Sequence, residues 1–215
     1  MDTDFQNLLD EAYPPSADAP VIRGVMEGIL LADKTLENEP FLASLVGKDL
    51  RGHIRRAGIL FRLDELAKKG DLPFTSTMTV MPRGNWHWIE LKSKKFTAHV
   101  CRTDGPELFP DDTPTRQDER LTNQYEMFSD PSKVEPIAGY VAWLSFGVGD
   151  SGLLGHLCWG MPNSSEDIWL ARTNIIQRAA HADLVVKPEQ PPTPLDLKFK
   201  GHIEASLKNN DKKST

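Results

Sequence analysis

Glu90-Leu91-Lys92 sets a carboxylate and an ammonium two residues apart, and on a β-strand positions i and i+2 project from the same face. A carboxylate so placed binds Mg²⁺ while the lysine orients a water molecule or balances phosphate charge, which is what metal-assisted phosphodiester cleavage requires. His99 adds a general base to this set, because imidazole titrates near neutral pH. A second group of residues offers recognition instead. Trp86, Trp88, His99, Trp143 and His156 fall at alternating positions of strand-like segments, and aromatic rings of this kind anchor partners at interfaces. Arg51 and Arg55, with Arg62 further along, stand on one side of a helical stretch beside His53 and Arg56. They can meet phosphate, or simply cover apolar surface with their stems.

The carboxylate and lysine have the form found in PD-(D/E)xK nucleases, and that resemblance implies Mg²⁺ and a nucleic-acid substrate. The pattern calls for a further acidic residue on a preceding strand or turn. Here Asp64, Glu65 and Asp71 precede the first strand without a clear motif, and Lys92 sits next to a turn. The six histidines, His53, His87, His99, His156, His181 and His202, show neither His-x-x-x-His on a helix nor paired Cys-x-x-Cys ligands, so no metal is expected outside that alternative. Gly147 to Gly155 reads as a hairpin turn, since no helix follows to receive a phosphate. The expectation is a non-catalytic binding or regulatory module without a cofactor, and the Mg²⁺-dependent nuclease acting through Glu90, Lys92 and His99 is the alternative.

The elements that must position these groups follow from period. Residues 86–101 alternate as a hairpin with Ser93-Lys94 as its turn, so that Leu91 faces Phe96 and Trp88 faces His99. His87, Ile89, Leu91, Phe96, Ala98 and Val100 then share an apolar face, and Trp86, Trp88, Glu90, Lys92, Thr97, His99 and Cys101 the opposite one. A second hairpin turns at residues 149–152 with Val148 facing Leu153. It puts Ala142, Leu144, Phe146, Leu157 and Trp159 on the core side and Trp143, Ser145, His156 and Cys158 on the other. Residues 74–80 supply a β-branched strand before the first hairpin, and residues 168–175 a last strand that brings Trp169 or Arg172 to the polar face.

Helices precede the sheet. Asp4 to Tyr13 forms one, stopped by Pro14-Pro15; Asp18 caps a second running through Leu31; Asp49 caps the best one, Leu50 to Lys69, which Gly70 closes. The fold class is therefore α+β: N-terminal helices on one face of a mostly antiparallel sheet of about six strands in meander order, with the second face partly open. The domain plan is an N-terminal helix and linker (1–19), a single α+β domain (20–184; helices 20–70, sheet 74–175) and a Pro-rich tether with a polar tail (185–215).

Within that domain, residues 104–136 carry nine acidic residues against three basic ones, which equals the net charge of −6 of the whole chain. With five prolines the segment reads as a long acidic loop, mobile or ordered by a partner. A charge of that sign argues against a general nucleic-acid coat. The expected partner is a protein with a basic surface, with a homodimer as a further use of the aromatic face and nucleic acid only under the nuclease alternative. Two cysteines, no basic-then-apolar leader and no long apolar run point to a cytoplasmic protein that does not enter membranes.

Overall fold

The computed structural model describes residues 4–81, 86–123, 139–149 and 152–183. All lie in the first of two units of the chain, Met1–Asp183; the second, Leu184–Thr215, contains the tether and tail and falls outside the described residues. The fold is α+β, with helices at the N-terminus and one six-stranded, mostly antiparallel sheet whose strands lie side by side in chain order. The helices are α1 (Phe5–Ala12), α2 (Asp18–Asn38), α3 (Leu45–Asp49), α4 (Arg51–Lys69), α5 (Pro114–Leu121) and α6 (Ile175–Asp183). The strands are β1 (Thr75–Val80), β2 (His87–Ser93), β3 (Phe96–Arg102), β4 (Tyr140–Val148), β5 (Leu154–Pro162) and β6 (Trp169–Asn174). No helix among the described residues is long and apolar enough to cross a membrane.

Local signals explain most boundaries. Asp4 accepts a hydrogen bond from the Asn7 amide and caps α1, and Gly70 closes α4 at φ 81°, a left-handed conformation open to a residue without Cβ. Two expected caps are corrected. Asp18 lies inside the first turn of α2, buried, because Arg178 of α6 takes its carboxylate with Nε at 2.7 Å. Asp49 ends α3 instead of capping α4, since Ser44 caps that extra short turn first. α6 was not expected at all, and Arg178 is its main contribution: it also reaches Asp10 at 2.5 Å and the Tyr13 carbonyl at 2.9 Å, tying α6 to α1 and the start of α2.

Both hairpin registers differ from expectation in the same way. The first pairs Leu91 with Ala98 and Ser93 with Phe96, so the turn is Lys94-Lys95, with Lys94 at φ 50°. The second pairs Leu144 with Trp159 and Phe146 with Leu157. In each, the paired residues meet a partner two positions away from the expected one, except Val148, which a bulge sets opposite Leu154, and an even displacement keeps each side chain on its face. Ile89, Leu91, Phe96, Ala98, Leu144, Phe146, Leu157 and Trp159 therefore join Leu9, Val21, Val25, Ile59 and Leu63 in the main core beneath α1, α2 and α4.

The middle of the sheet departs from a simple meander. β3 and β4 are parallel, with His99 beside Trp143, and a parallel step needs a crossover. The segment expected as a long acidic loop, mobile or ordered by a partner, makes that crossover, and α5 within it lies on the second sheet face. Thr113 caps α5 and Pro114 opens it, while Thr115, Glu119 and Arg120 are buried. Residues 124–136 of the expected loop lie outside the described residues.

Candidate functional site

Because α5 packs on it, most of the expected open face is closed. Trp143 is 1% exposed and sits with Cys101 and Val141 beneath Phe109 and Trp169. The Trp169 ring lies over Gly160, where a Cβ would come within 2.6 Å of it, and so reaches Trp143 edge-on at 5.9 Å. Arg172 pairs with Glu107, whose carbonyl accepts from the Trp169 indole at 3.1 Å. His156 is bonded to Thr103 Oγ1 at 2.8 Å, and burial lowers its pKa, which favours the neutral ring. Trp143 and His156 thus serve a packed layer, not a docking surface.

Asn123, which follows α5, holds that layer shut. Its side chain donates to the Val141 and Pro162 carbonyls, each at 2.9 Å, and accepts from the Val141 amide at 2.8 Å, at 3% exposure. Asn123→Ala leaves three buried backbone groups unpaired, for an expected loss of about 2–4 kcal/mol in chemical denaturation. A loss below about 1 kcal/mol would show that the crossover is not fastened there.

One part of the face remains accessible. The β2–β3 ladder ends at Leu91 and Ala98, and beyond it a cleft of about 250 Å³ opens between β2, β3, α4 and α5. Trp88 stacks on His99 along its floor, centroids 3.8 Å apart and 11° from parallel. Trp86 stands at its rim, 61% exposed and stacked on His53 at 5.6 Å. Glu119 reaches in from α5 and accepts from the Trp143 indole at 2.6 Å. Its other oxygen is 3.0 Å from His99 Nδ1, but the geometry does not make a hydrogen bond. His99 is 8% exposed, and neither of its nitrogens, nor the Trp88 indole nitrogen, has a hydrogen-bond partner among the described residues.

Arg56 and Arg116 line the same cleft. Burial, and secondarily the charge of Arg116, lower the Arg56 pKa, so the two guanidiniums repel across it. Arg56 donates to the His87 carbonyl at 3.3 Å and Arg116 to the Asp111 carbonyl, and among the described residues neither is paired with a carboxylate. Cys101 is also at the wall, where burial pushes its thiol up to about 12; Cys158 is pushed up to about 11. Neither is a thiolate nucleophile near neutral pH.

The remaining sequence candidates are elsewhere. Glu90 and Lys92 share a face as expected but are bonded to each other at 2.7 Å, outside the cleft lining. Among the described residues no three His, Cys, Asp or Glu side chains are grouped so as to hold a metal ion. Arg55 is held by both oxygens of Asp33 at 2.8 Å, while Arg51 is exposed beside the cleft with no carboxylate partner among the described residues. Of the sequence candidates, Trp86, Trp88 and His99 come together in this cleft, and Glu119 and Arg116, which also line it, were not among them. The Thr113-Pro114 cap signal would have revealed the helix that delivers both. No protein-family model, curated protein or solved structure matches this chain.

Proposed function

We propose that this protein is a non-catalytic binding module whose site is the Trp86, Trp88 and His99 cleft, and that it takes an anionic group attached to a planar ring. The observation that carries this reading is the excess of donors over acceptors in one concave, aromatic-walled place. Two guanidiniums, Arg56 and Arg116, neither paired with a carboxylate among the described residues, share the cleft with two ring nitrogens, Trp88 Nε1 and one of His99, that have no hydrogen-bond partner among those residues. A phosphate or carboxylate satisfies such a set with charge-assisted bonds. Glu119, the carboxylate in the lining, accepts from the Trp143 indole. With two guanidiniums against that one carboxylate the lining is positive, which favours an acidic partner over one with a basic surface.

Thymidine 5′-monophosphate is a suitable probe in calorimetric titration of the full chain. Arg56→Ala is expected to weaken its binding about ten- to a hundredfold, as loss of hydrogen bonds to a charged group does. Unchanged affinity would remove the cleft from consideration. Glu90→Gln separates this reading from the nuclease: it should leave the titration as it is, whereas abolition of a Mg²⁺-dependent cutting activity by that change would favour the alternative.

A further inference from the structure

A second groove, about 490 Å³, adjoins the cleft and shares His53 and Arg56 with it. Lys48, Arg51 and Arg102 add positive charge along its length. Arg102 is offset by Asp104 at 3.3 Å, but Lys48 and Arg51 have no carboxylate partner among the described residues. Asp49, exposed between Lys48 and Arg51, is a carboxylate in the same lining, but on a chain of net charge −6 the cations outnumber it and make a track from the last turn of α3, along the first turns of α4, to the mouth of an aromatic cleft. A mononucleotide would use only the cleft end. A ligand that uses the whole track must repeat its negative charge and carry at least one ring able to leave its neighbours and stack.

We infer that the site binds single-stranded nucleic acid, with a base inserted against Trp86 and the Trp88–His99 stack and the backbone phosphates running over Arg56, Arg51 and Lys48. This rests on the anion-binding reading of the cleft and extends it. A single strand is preferred to a duplex because the ring-binding surface is recessed, so the base must be unpaired to reach it, as on the stacking platforms of single-strand binders. His99, more than nine-tenths buried with neither ring nitrogen hydrogen-bonded among the described residues and only Nδ1 near Glu119, supplies a polar contact for the edge of an inserted base. Within residues 104–136, Glu119 is engaged internally and Asp104 offsets Arg102, so the phosphates are assigned to Arg56, Arg51 and Lys48 on α3 and α4.

The test is fluorescence anisotropy of the full chain with a labelled oligo(dT) of about ten nucleotides, competed by thymidine monophosphate, duplex DNA of the same length and heparin. The oligonucleotide is expected to bind more than about tenfold tighter than the monophosphate. Its affinity should fall with salt at a log–log slope of about −2, given the three cations Arg56, Arg51 and Lys48 at about 0.7 each. Trp86→Ala should weaken the oligonucleotide about tenfold, within the range for loss of one stacked base. Arg51→Ala, an exposed change monitored by circular dichroism for an intact fold, should weaken the oligonucleotide more than the monophosphate. Binding of the monophosphate with no gain for the oligonucleotide would overturn this inference and leave the cleft reading standing; binding of neither would overturn both. Heparin or duplex competing as well as the single strand, with Trp86→Ala neutral, would show a general polyanion surface and overturn the inference.

Discussion

Arg178→Met should destabilise the protein by about 3–5 kcal/mol, the cost of removing one partner from a buried ion pair and leaving the other charged. The Asp18 carboxylate left behind is 2% exposed, and Asp10 and the Tyr13 carbonyl lose the same guanidinium. The pH dependence has a definite sign. Burial raises the Asp18 pKa above its ordinary value, while the Arg178 hydrogen bond and charge work to lower it. A raised folded pKa means that the folded state holds the proton more tightly, so the group stabilises below its unfolded pKa and loses that contribution as pH rises through the folded one. Without Arg178 the folded pKa climbs further. The deficit of the variant relative to the parent should therefore shrink as pH falls from neutral toward the carboxylate range. Denaturation of both proteins across that range checks it, and a deficit that grows on acidification would mean that Asp18 is not the group left exposed to the penalty.

Gly28→Ala should cost about 3 kcal/mol or more, at the upper end for overpacking because the obstacle is backbone. A Cβ at Gly28 would stand 2.6 Å from Ile59 Cα and 2.7 Å from the Gly58 carbonyl carbon. Neither can turn aside as a side chain does, so α2 and α4 must separate and loosen Val25, Ile29, Ile59 and Leu63, all in the main core. Gly24→Ala is the control. Its Cβ would meet the Leu66 Cδ1 methyl at 2.6 Å, the end of a side chain that can rotate, and about 1 kcal/mol is expected. Equal melting temperatures for the two variants would show that the helices do not touch through Gly28.

What was legible in the sequence was whatever depends on period two. Ile89, Leu91, Phe96, Leu144 and Trp159 reach the core despite two misplaced registers, because a displacement of two leaves faces unchanged. The crossover was not legible for a corresponding reason. α5 buries Thr115, Glu119 and Arg120, polar residues that leave no apolar stripe for periodicity to detect. Charge counting then assigned Glu119 to a solvated loop, when it is the hydrogen-bond acceptor for Trp143. The same error opened a sheet face that Phe109, Trp169 and Asn123 close. The Trp88–His99 pair was found because stacked diagonal neighbours remain on one face in either register. Arg116 was invisible as a site residue since it meets Arg56 only once β3 and β4 run parallel.

The most direct test of the cleft is the indole region of a ¹⁵N-correlated NMR spectrum of the full chain, recorded as thymidine monophosphate is added. Five tryptophans give five indole signals, and they divide sharply by position. Trp88 Nε1 has no hydrogen-bond partner among the described residues and lies in the cleft, and Trp86 stands at its rim, whereas Trp159 is buried on the opposite face, stacked on Tyr13 at 4.0 Å. The expected result is a saturating shift of the Trp88 signal, with a smaller one for Trp86 and none for Trp159. Saturation of the ligand with the Trp88 and Trp86 signals unmoved would contradict it.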